Sequence, residues 1–355
     1  MIGEPKRKLR YLCCMILITG ATGLVGSHLL VELSNKGLAF KAMKRVSSDL
    51  TLVRKIFALY AHDAPSQLAA IDWVDGDLTD MARLDDLLDG VDLVYHCAAV
   101  VSFHPSRQRE MMLTNVKGTA NLVNALLHKG GIKLCHVSSI ASLGRSENNQ
   151  PITENHLWKN SGSNSVYSVS KYAAEREVWR GVAEGLKAVI VNPSVILGPG
   201  NWSNGSAELF SLSWKGLKYY TNGCTAYVDV RDVAKAMYQL MENEKFGERY
   251  ILSGGELSYR TLFTLIANGL GKTPPRFEVK PWMAEVAWRL MALKGFFTRT
   301  VPAITKETAR TSLAKKSYSS QKVVDTLGFT FTPLNESIAD ICRIFLADHQ
   351  PASRG

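Results

Sequence analysis

Tyr167 and Lys171 stand four residues apart in a stretch, 166–184, that reads as a helix, so their side chains leave the same face. A tyrosine hydroxyl titrates near about 10 and is a poor base at neutral pH. An ammonium within reach favours the phenolate and lowers that value, so a lysine one turn away is what proton transfer through a tyrosine needs. Such a pair alone is also common on ordinary surface helices. A second feature gives it context. Thr19-Gly20-Ala21-Thr22-Gly23-Leu24-Val25-Gly26 follows a short apolar run and opens a stretch with apolar residues at Leu24, Val25, Leu29, Leu30 and Leu33. A strand, a glycine turn and a helix in that order suit a dinucleotide. Gly20 permits the tight turn, Gly23 lets the backbone approach a pyrophosphate, and Gly26 lets the helix pack closely on the strand. The start of the helix adds free N–H groups and the positive end of its dipole.

The elements that must position these residues alternate. Strand-like runs at 15–19, 40–44, 71–74, 91–97, 132–137 and 188–192 are interleaved with helix-like runs at 24–35, 81–88, 107–128 and 166–184. That rhythm implies right-handed crossovers and an α/β fold with a doubly wound parallel sheet. After Pro193 the rhythm breaks, returns at 227–230, 231–242 and 249–252, and gives way from 255 to helical stretches jointed by Pro274, Pro275, Pro281 and Pro302. The expected division is a dispensable extension at 1–14 and a Rossmann dinucleotide-binding domain at 15–195 plus 227–254. A smaller, mostly helical substrate domain is expected at 196–226 plus 255–347, with a tail at 348–355.

Of the 355 residues, 46% are hydrophobic, enough for a packed core. Lys and Arg number 42 against 32 acidic residues, a net +10, with no basic run of five. That is a solvated basic surface with a modest pull on anionic ligands, and no nucleic-acid footprint. The six cysteines lack CxxC spacing, so they read as reduced thiols in a cytoplasmic protein without a metal site. No apolar stretch reaches the roughly 18 residues of a spanning helix. The apolar run at 11–18 follows a basic start but leads straight into the glycine turn. The one at 282–297 is broken by Glu285, Arg289 and Lys294 and reads as an amphipathic helix packed on the protein.

Further elements occur in order along the chain: Gly76-Asp77-Leu78-Thr79-Asp80, His96-Cys97-Ala98-Ala99, Asn115-Val116-Lys117-Gly118-Thr119, Val137-Ser138-Ser139 and Asn192-Pro193. Together with the glycine turn and Tyr167-Ser168-Val169-Ser170-Lys171, they make the chain resemble the extended short-chain dehydrogenases/reductases, the NAD-dependent epimerase/dehydratase family. The resemblance is strong over 15–255 and closest to the dihydroflavonol-reductase and 3β-hydroxysteroid-dehydrogenase branch. It implies hydride transfer between a nicotinamide and a carbon bearing oxygen. Tyr167 would be the general acid or base, Ser139 would hold the reacting oxygen, and Lys171 would lower the tyrosine pKa and hold the nicotinamide ribose. Ser138 and Ser142 remain alternatives to Ser139. Asn115 is either a satisfied core amide or, as the family implies, part of a proton relay to the lysine.

The resemblance also implies that Gly20, Thr22, Gly23, Leu24, Val25, Gly26, Asp77, Leu78, Ala98, Ala99, Asn192 and Pro193 contact the cofactor, with Tyr167 and Lys171. No acid follows the second strand until Asp49, and Arg45 sits where NADP-using relatives carry an arginine. NADP is therefore expected, with NAD possible. Phe103, His104 and Trp202 are candidate substrate contacts. Relatives that grip a nucleotide-sugar diphosphate carry an arginine where this chain has Thr225. The expected substrate is thus a small molecule without a nucleotide, bearing a carbonyl or secondary alcohol. The alternatives are an NAD-dependent nucleotide-sugar epimerase/dehydratase and a non-catalytic NADP-binding sensor or scaffold. Homodimerisation through 107–128 and 166–184 is a family habit.

Overall fold

Residues 16–19, Ile-Leu-Ile-Thr, carry no alternation because the strand they form is covered on both faces, and all four are buried. The computed structural model describes residues 14–102, 105–146, 150–161, 164–298 and 311–349. In chain order the elements are β1 (Ile16–Thr19), α1 (Leu24–Asn35), β2 (Phe40–Lys44), α2 (Thr51–Tyr60), α3 (Ala64–Ala69), β3 (Asp72–Asp75), α4 (Met81–Leu87) and β4 (Leu93–His96). A helical turn, Gln108–Met111, and a π-helical stretch, Met112–Lys117, lead into α5 (Gly118–Lys129). Then come β5 (Lys133–Val137), α6 (Val166–Ala183), β6 (Ala188–Pro193), β7 (Val195–Leu197), α7 (Glu208–Trp214), β8 (Tyr219–Tyr220), β9 (Cys224–Asp229) and α8 (Val230–Glu242). The chain finishes with β10 (Glu248–Leu252), β11 (Gly255–Ser258), α9 (Tyr259–Gly269), β12 (Phe277–Glu278), α10 (Pro281–Thr298), α11 (Gln321–Leu327) and α12 (Leu334–His349).

Seven strands form one parallel sheet in the order β3-β2-β1-β4-β5-β6-β10. Apolar clusters cover both faces. Leu29, Leu30, Val233 and Met237 lie on one side, and Leu84, Leu122, Val123 and Val178 on the other. The strand order reverses between β1 and β4, which opens a crevice at their carboxyl ends, the place where open α/β sheets take ligands. A third cluster, including Leu197, Phe210, Tyr227, Leu262, Ile338 and Phe345, joins α7, β9, α9 and α12 beside that crevice.

Three features depart from the sequence expectation. The strand expected at 227–230, beside the dinucleotide-binding sheet, is longer and lies in a separate sheet, β11-β9-β7. Pro193 ends β6 opposite Leu252 and has no N–H to extend the ladder, so the chain leaves the main sheet there and β7 pairs with β9. Helices α2 and α3 occupy 51–69, where no element was expected. Asp63 caps α3 by accepting from the Ser66 N–H, and a proline sits in its first turn. The helix expected at 107–128 runs on as one helical stretch but carries the π segment inside it. Among the described residues no helix is long and apolar enough to cross a membrane. On α10, Trp282, Val286 and Leu290 are exposed rather than packed.

Three buried histidines set an acid limit to the fold. The His28 Nδ1–H donates to the Leu24 carbonyl, and burial holds the ring down at about 4. His96 lies between the Thr19 and Thr119 hydroxyls, and burial holds it at about 3. The His136 ring lies beside it, tilted by 35° with centroids 5.1 Å apart, and is also pushed well below its ordinary value by burial. The unfolded chain protonates these rings near about 6.5, so between there and about pH 4 it binds more protons than the folded chain, and stability falls with falling pH. Each pH unit in that window removes about 1.4 kcal/mol per histidine. The expected result is a steep drop in Tm between pH 7 and pH 5 in a thermal-melt series. A flat Tm over that range contradicts neutral burial of these rings.

Candidate active site

The glycine turn between β1 and α1 leaves no room for side chains. Gly20 adopts φ +68°, and a Cβ there would lie 2.5 Å from the Ala98 backbone nitrogen. A Cβ on Gly26 would lie 2.2 Å from the Gly20 carbonyl oxygen. Gly23 caps α1 without a side-chain hydrogen bond, so the first N–H groups of this helix stay open toward the crevice. Thr22, Leu24 and Val25 are half-buried around them. Across the crevice, the Cys97 N–H donates to the Thr19 carbonyl, which brings Ala98 and Ala99 against the turn. A cradle of bare backbone at a helix start fits the pyrophosphate of a dinucleotide.

At the end of β2 the Arg45 side chain is exposed and makes no ion pair among the described residues. Lys44 is bound to Asp75 at 2.6 Å. The Asp77 carboxylate accepts from the Thr79 N–H and hydroxyl, which hold it below the usual carboxylate range, with Arg45 adding to the effect. Leu78 is buried against Gly118, and its carbonyl accepts from Asn121.

The candidate proton-transfer residues meet at the carboxyl ends of β5 and β6. Ser165 caps α6 by accepting from the Ser168 N–H, which fixes the helix start and sets Tyr167 in its first turn. The Tyr167 hydroxyl is hydrogen-bonded to Ser139. Lys171, one turn on and buried, donates from Nζ to the Val137 carbonyl at 2.8 Å. Burial raises the Tyr167 pKa while the Ser139 hydrogen bond lowers it, and the net direction is upward. This differs from the expectation that Lys171 lowers it: removal from water outweighs the other effects. Burial in turn pushes Lys171 down to about 8, against the pull of Glu175 and Cys97.

The three serines are not equivalent. Ser138 and Ser142 each direct a hydroxyl to Glu175 Oε2, at 2.5 and 2.6 Å. Ser139 is half-exposed and faces Tyr167. Asn115 is buried in the π stretch. Its Oδ1 accepts from the Val100 N–H at 2.7 Å, and its Nδ2 donates to the Val100 carbonyl and to Ser170 Oγ. The amide thus clamps the loop after β4 to α6 beside Lys171, with no direct bond to the lysine. Asn192 donates to Ser139 O, Ser142 Oγ and Glu175, while Pro193 ends β6.

Phe103 and His104 lie outside the described residues. Trp202 is spent elsewhere. Its ring meets Phe345 edge-on at 4.9 Å, its Nε1–H donates to Asp348 at 2.7 Å, and the Lys55 ammonium sits 4.3 Å above it. These contacts join α2 to α12, and Trp202 makes none with Tyr167 or Ser139. Two residues that sequence reasoning passed over, Glu175 and Arg249, form a buried ion pair at 2.9 Å under the site. The signal was present, because Glu175 continues the Tyr167–Lys171 stripe by one more turn.

The family model for the NAD dependent epimerase/dehydratase family matches residues 16–252, more than half of the chain. The chain belongs to this family. It is accordingly an NAD(P)-dependent enzyme of the oxidoreductase type. A Synechocystis sp. protein whose name provisionally assigns it as a dihydroflavonol 4-reductase is 27% identical over 338 residues, covering 92% of this chain and 93% of its own. Sterol demethylase protein B of Methylococcus capsulatus is 27% identical over 330 residues, covering 91% and 96%. The crystal structure of gox2253 superposes with a TM-score of 0.78 at 29% identity, covering 95% of this chain and 99% of that one.

Proposed function

We propose that this family member is an NADP-dependent reductase of a carbonyl group on a largely apolar small molecule without a sugar nucleotide. The observation that carries the reading is the hydrogen-bonded Tyr167–Ser139 pair with Lys171 beneath it, at the edge of the crevice that begins with the glycine turn. The backbone around Gly20, Gly23 and Gly26 would hold the pyrophosphate, Arg45 an adenine-ribose phosphate, and Lys171 the nicotinamide ribose. The bound nicotinamide supplies or accepts the hydride. A raised pKa keeps the Tyr167 phenol protonated at neutral pH, so it can donate a proton to the oxygen of a carbonyl being reduced. Ser139 hydrogen-bonds the same oxygen as charge develops on it. Lys171, with a pKa of about 8, is largely cationic at pH 7 and favours the anionic partner in that exchange.

The substrate reading draws on two supports. Thr225, in β9, offers no charged clamp for a diphosphate, and the neighbouring cluster of Leu197, Phe210, Tyr227 and Leu262 is apolar. The named activities of the relatives concern dihydroflavonols and sterols. The substrate region is assigned to 196–226 plus 255–347 and the protein to the cytoplasm. A homodimer through α5 and α6 is consistent with exposed Leu113, just before α5, and Val169, on α6; sedimentation velocity at micromolar concentration tests it. The test of function is a carbonyl panel with NADPH, read by loss of nicotinamide absorbance, beside a thermal-shift panel of UDP- and dTDP-sugars. Stabilisation by a sugar nucleotide with no carbonyl turned over overturns the substrate assignment.

Arg45→Glu tests the cofactor. The side chain is exposed and unpaired among the described residues, so the change does not disturb the core. A carboxylate there repels a 2′-phosphate and accepts a ribose 2′-OH. The expected outcome is an NADPH Kd raised by about tenfold or more with little change for NADH, roughly the effect of one lost charge-assisted contact. A wild-type chain that already prefers NADH contradicts the assignment.

A further inference from the structure

We propose that Glu175, held by Arg249, is a positioning residue that keeps Ser139 free to face Tyr167 and keeps Lys171 charged; the inference rests on the reductase reading above. Both carboxylate oxygens of Glu175 are fully engaged. Oε2 accepts from Ser138 Oγ at 2.5 Å, Ser142 Oγ at 2.6 Å and Asn192 Nδ2 at 2.8 Å. Oε1 accepts from Trp179 Nε1 at 3.2 Å and Arg249 Nη1 at 2.9 Å. Three of these five donors bracket Ser139. Ser138 precedes it, and Ser142 closes the turn after it, sharing its single proton between Glu175 and the Ser139 carbonyl, 2.7 Å away. Asn192 reaches that same carbonyl at 3.1 Å. The carboxylate thus withdraws the two rival hydroxyls and fixes the backbone of the third serine.

Arg249 extends the hold beyond α6. From β10 it gives one N–H to Glu175 and others to the Glu154 and His156 carbonyls, in the segment that follows the serine turn. Glu154 returns a bond by accepting from the Ile251 N–H at 2.8 Å. A buried ion pair adds little net stability over an apolar pair of the same shape, so its consequence lies in geometry and field.

The field acts on Lys171. The titratable groups that face it are Tyr167 and Glu175 on α6, His96 on β4, Cys97 just beyond it, and His136 on β5. The two histidines are neutral, and burial pushes the Cys97 thiol up to about 12. Glu175 is therefore the one carboxylate among them, and it opposes the burial that drives Lys171 down to about 8. Without its charge the ammonium deprotonates at lower pH.

The experiment measures two quantities against pH for wild type and Glu175→Gln: NADPH Kd by fluorescence, and kcat for whichever carbonyl is turned over. Both depend on the Lys171 charge at their alkaline limb. The expected result is a limb shifted down by about half a pH unit or more in Glu175→Gln. A limb that stays put overturns the proposal, because a merely structural carboxylate lowers Tm without moving the limb. The binding measurement keeps this separate from the reductase reading: a lowered limb in NADPH Kd upholds the positioning role even if no carbonyl is reduced.

Discussion

Tyr167→Phe is expected to lower kcat by about a thousandfold, within the range by which a positioned proton donor accelerates a reaction. NADPH Kd should change by less than about threefold, because the change removes one hydroxyl and leaves untouched the bare backbone at Gly20, Gly23 and Gly26, the proposed pyrophosphate cradle. The substitution removes one oxygen whose partner is Ser139 and leaves α6 capped by Ser165, so the helix and Lys171 keep their places. The measurement is steady-state kinetics with the best carbonyl from the panel, beside fluorescence titration with NADPH. A variant that keeps more than a tenth of wild-type kcat shows that the phenol is not the proton donor. The pH profile adds a second check. Burial holds the Tyr167 pKa above its ordinary value, so carbonyl reduction should not lose its acid near neutrality, and the alkaline loss seen first belongs to Lys171 at about 8.

The patterns proposed as the catalytic face were legible in the sequence because they are short-range. The glycine turn needs bare backbone at three fixed positions, and Tyr167 and Lys171 need one helical face. The contacts that select among neighbours were not legible, because they come from residues far apart in the chain. The choice of Ser139 over Ser138 and Ser142 rests on Glu175, on Asn192 and, through Arg249, on β10. The same holds for Trp202. Its aromatic ring suggested a pocket wall, yet Asp348 and Lys55, both more than a hundred residues distant, draw it into a joint between helices. The placement of β9 was missed for a related reason. Local composition announces a strand, but which sheet it joins depends on where Pro193 releases the preceding one.

Ser139→Ala is expected to lower kcat by about a hundredfold, the usual loss when one donor to a developing oxyanion is removed. Its effect on Tm should be modest, because the half-exposed hydroxyl caps only the short turn at 140–142 through the Ala141 N–H, while Ser142 and Asn192 still hold the Ser139 carbonyl. Ser138→Ala and Ser142→Ala should show the reverse pattern. Each deletes a buried hydrogen bond to a carboxylate, worth about 1.5–3 kcal/mol, so Tm falls by several degrees. Each leaves Glu175 with its four remaining donors and Ser139 still facing Tyr167, so kcat stays within a few-fold of wild type. The three variants side by side, with kcat and Tm measured on each, separate a hydroxyl that meets substrate from two that hold the frame. If Ser138→Ala or Ser142→Ala costs more in kcat than Ser139→Ala, the reacting oxygen lies on the other side of the turn, and the positioning role of Glu175 fails with it.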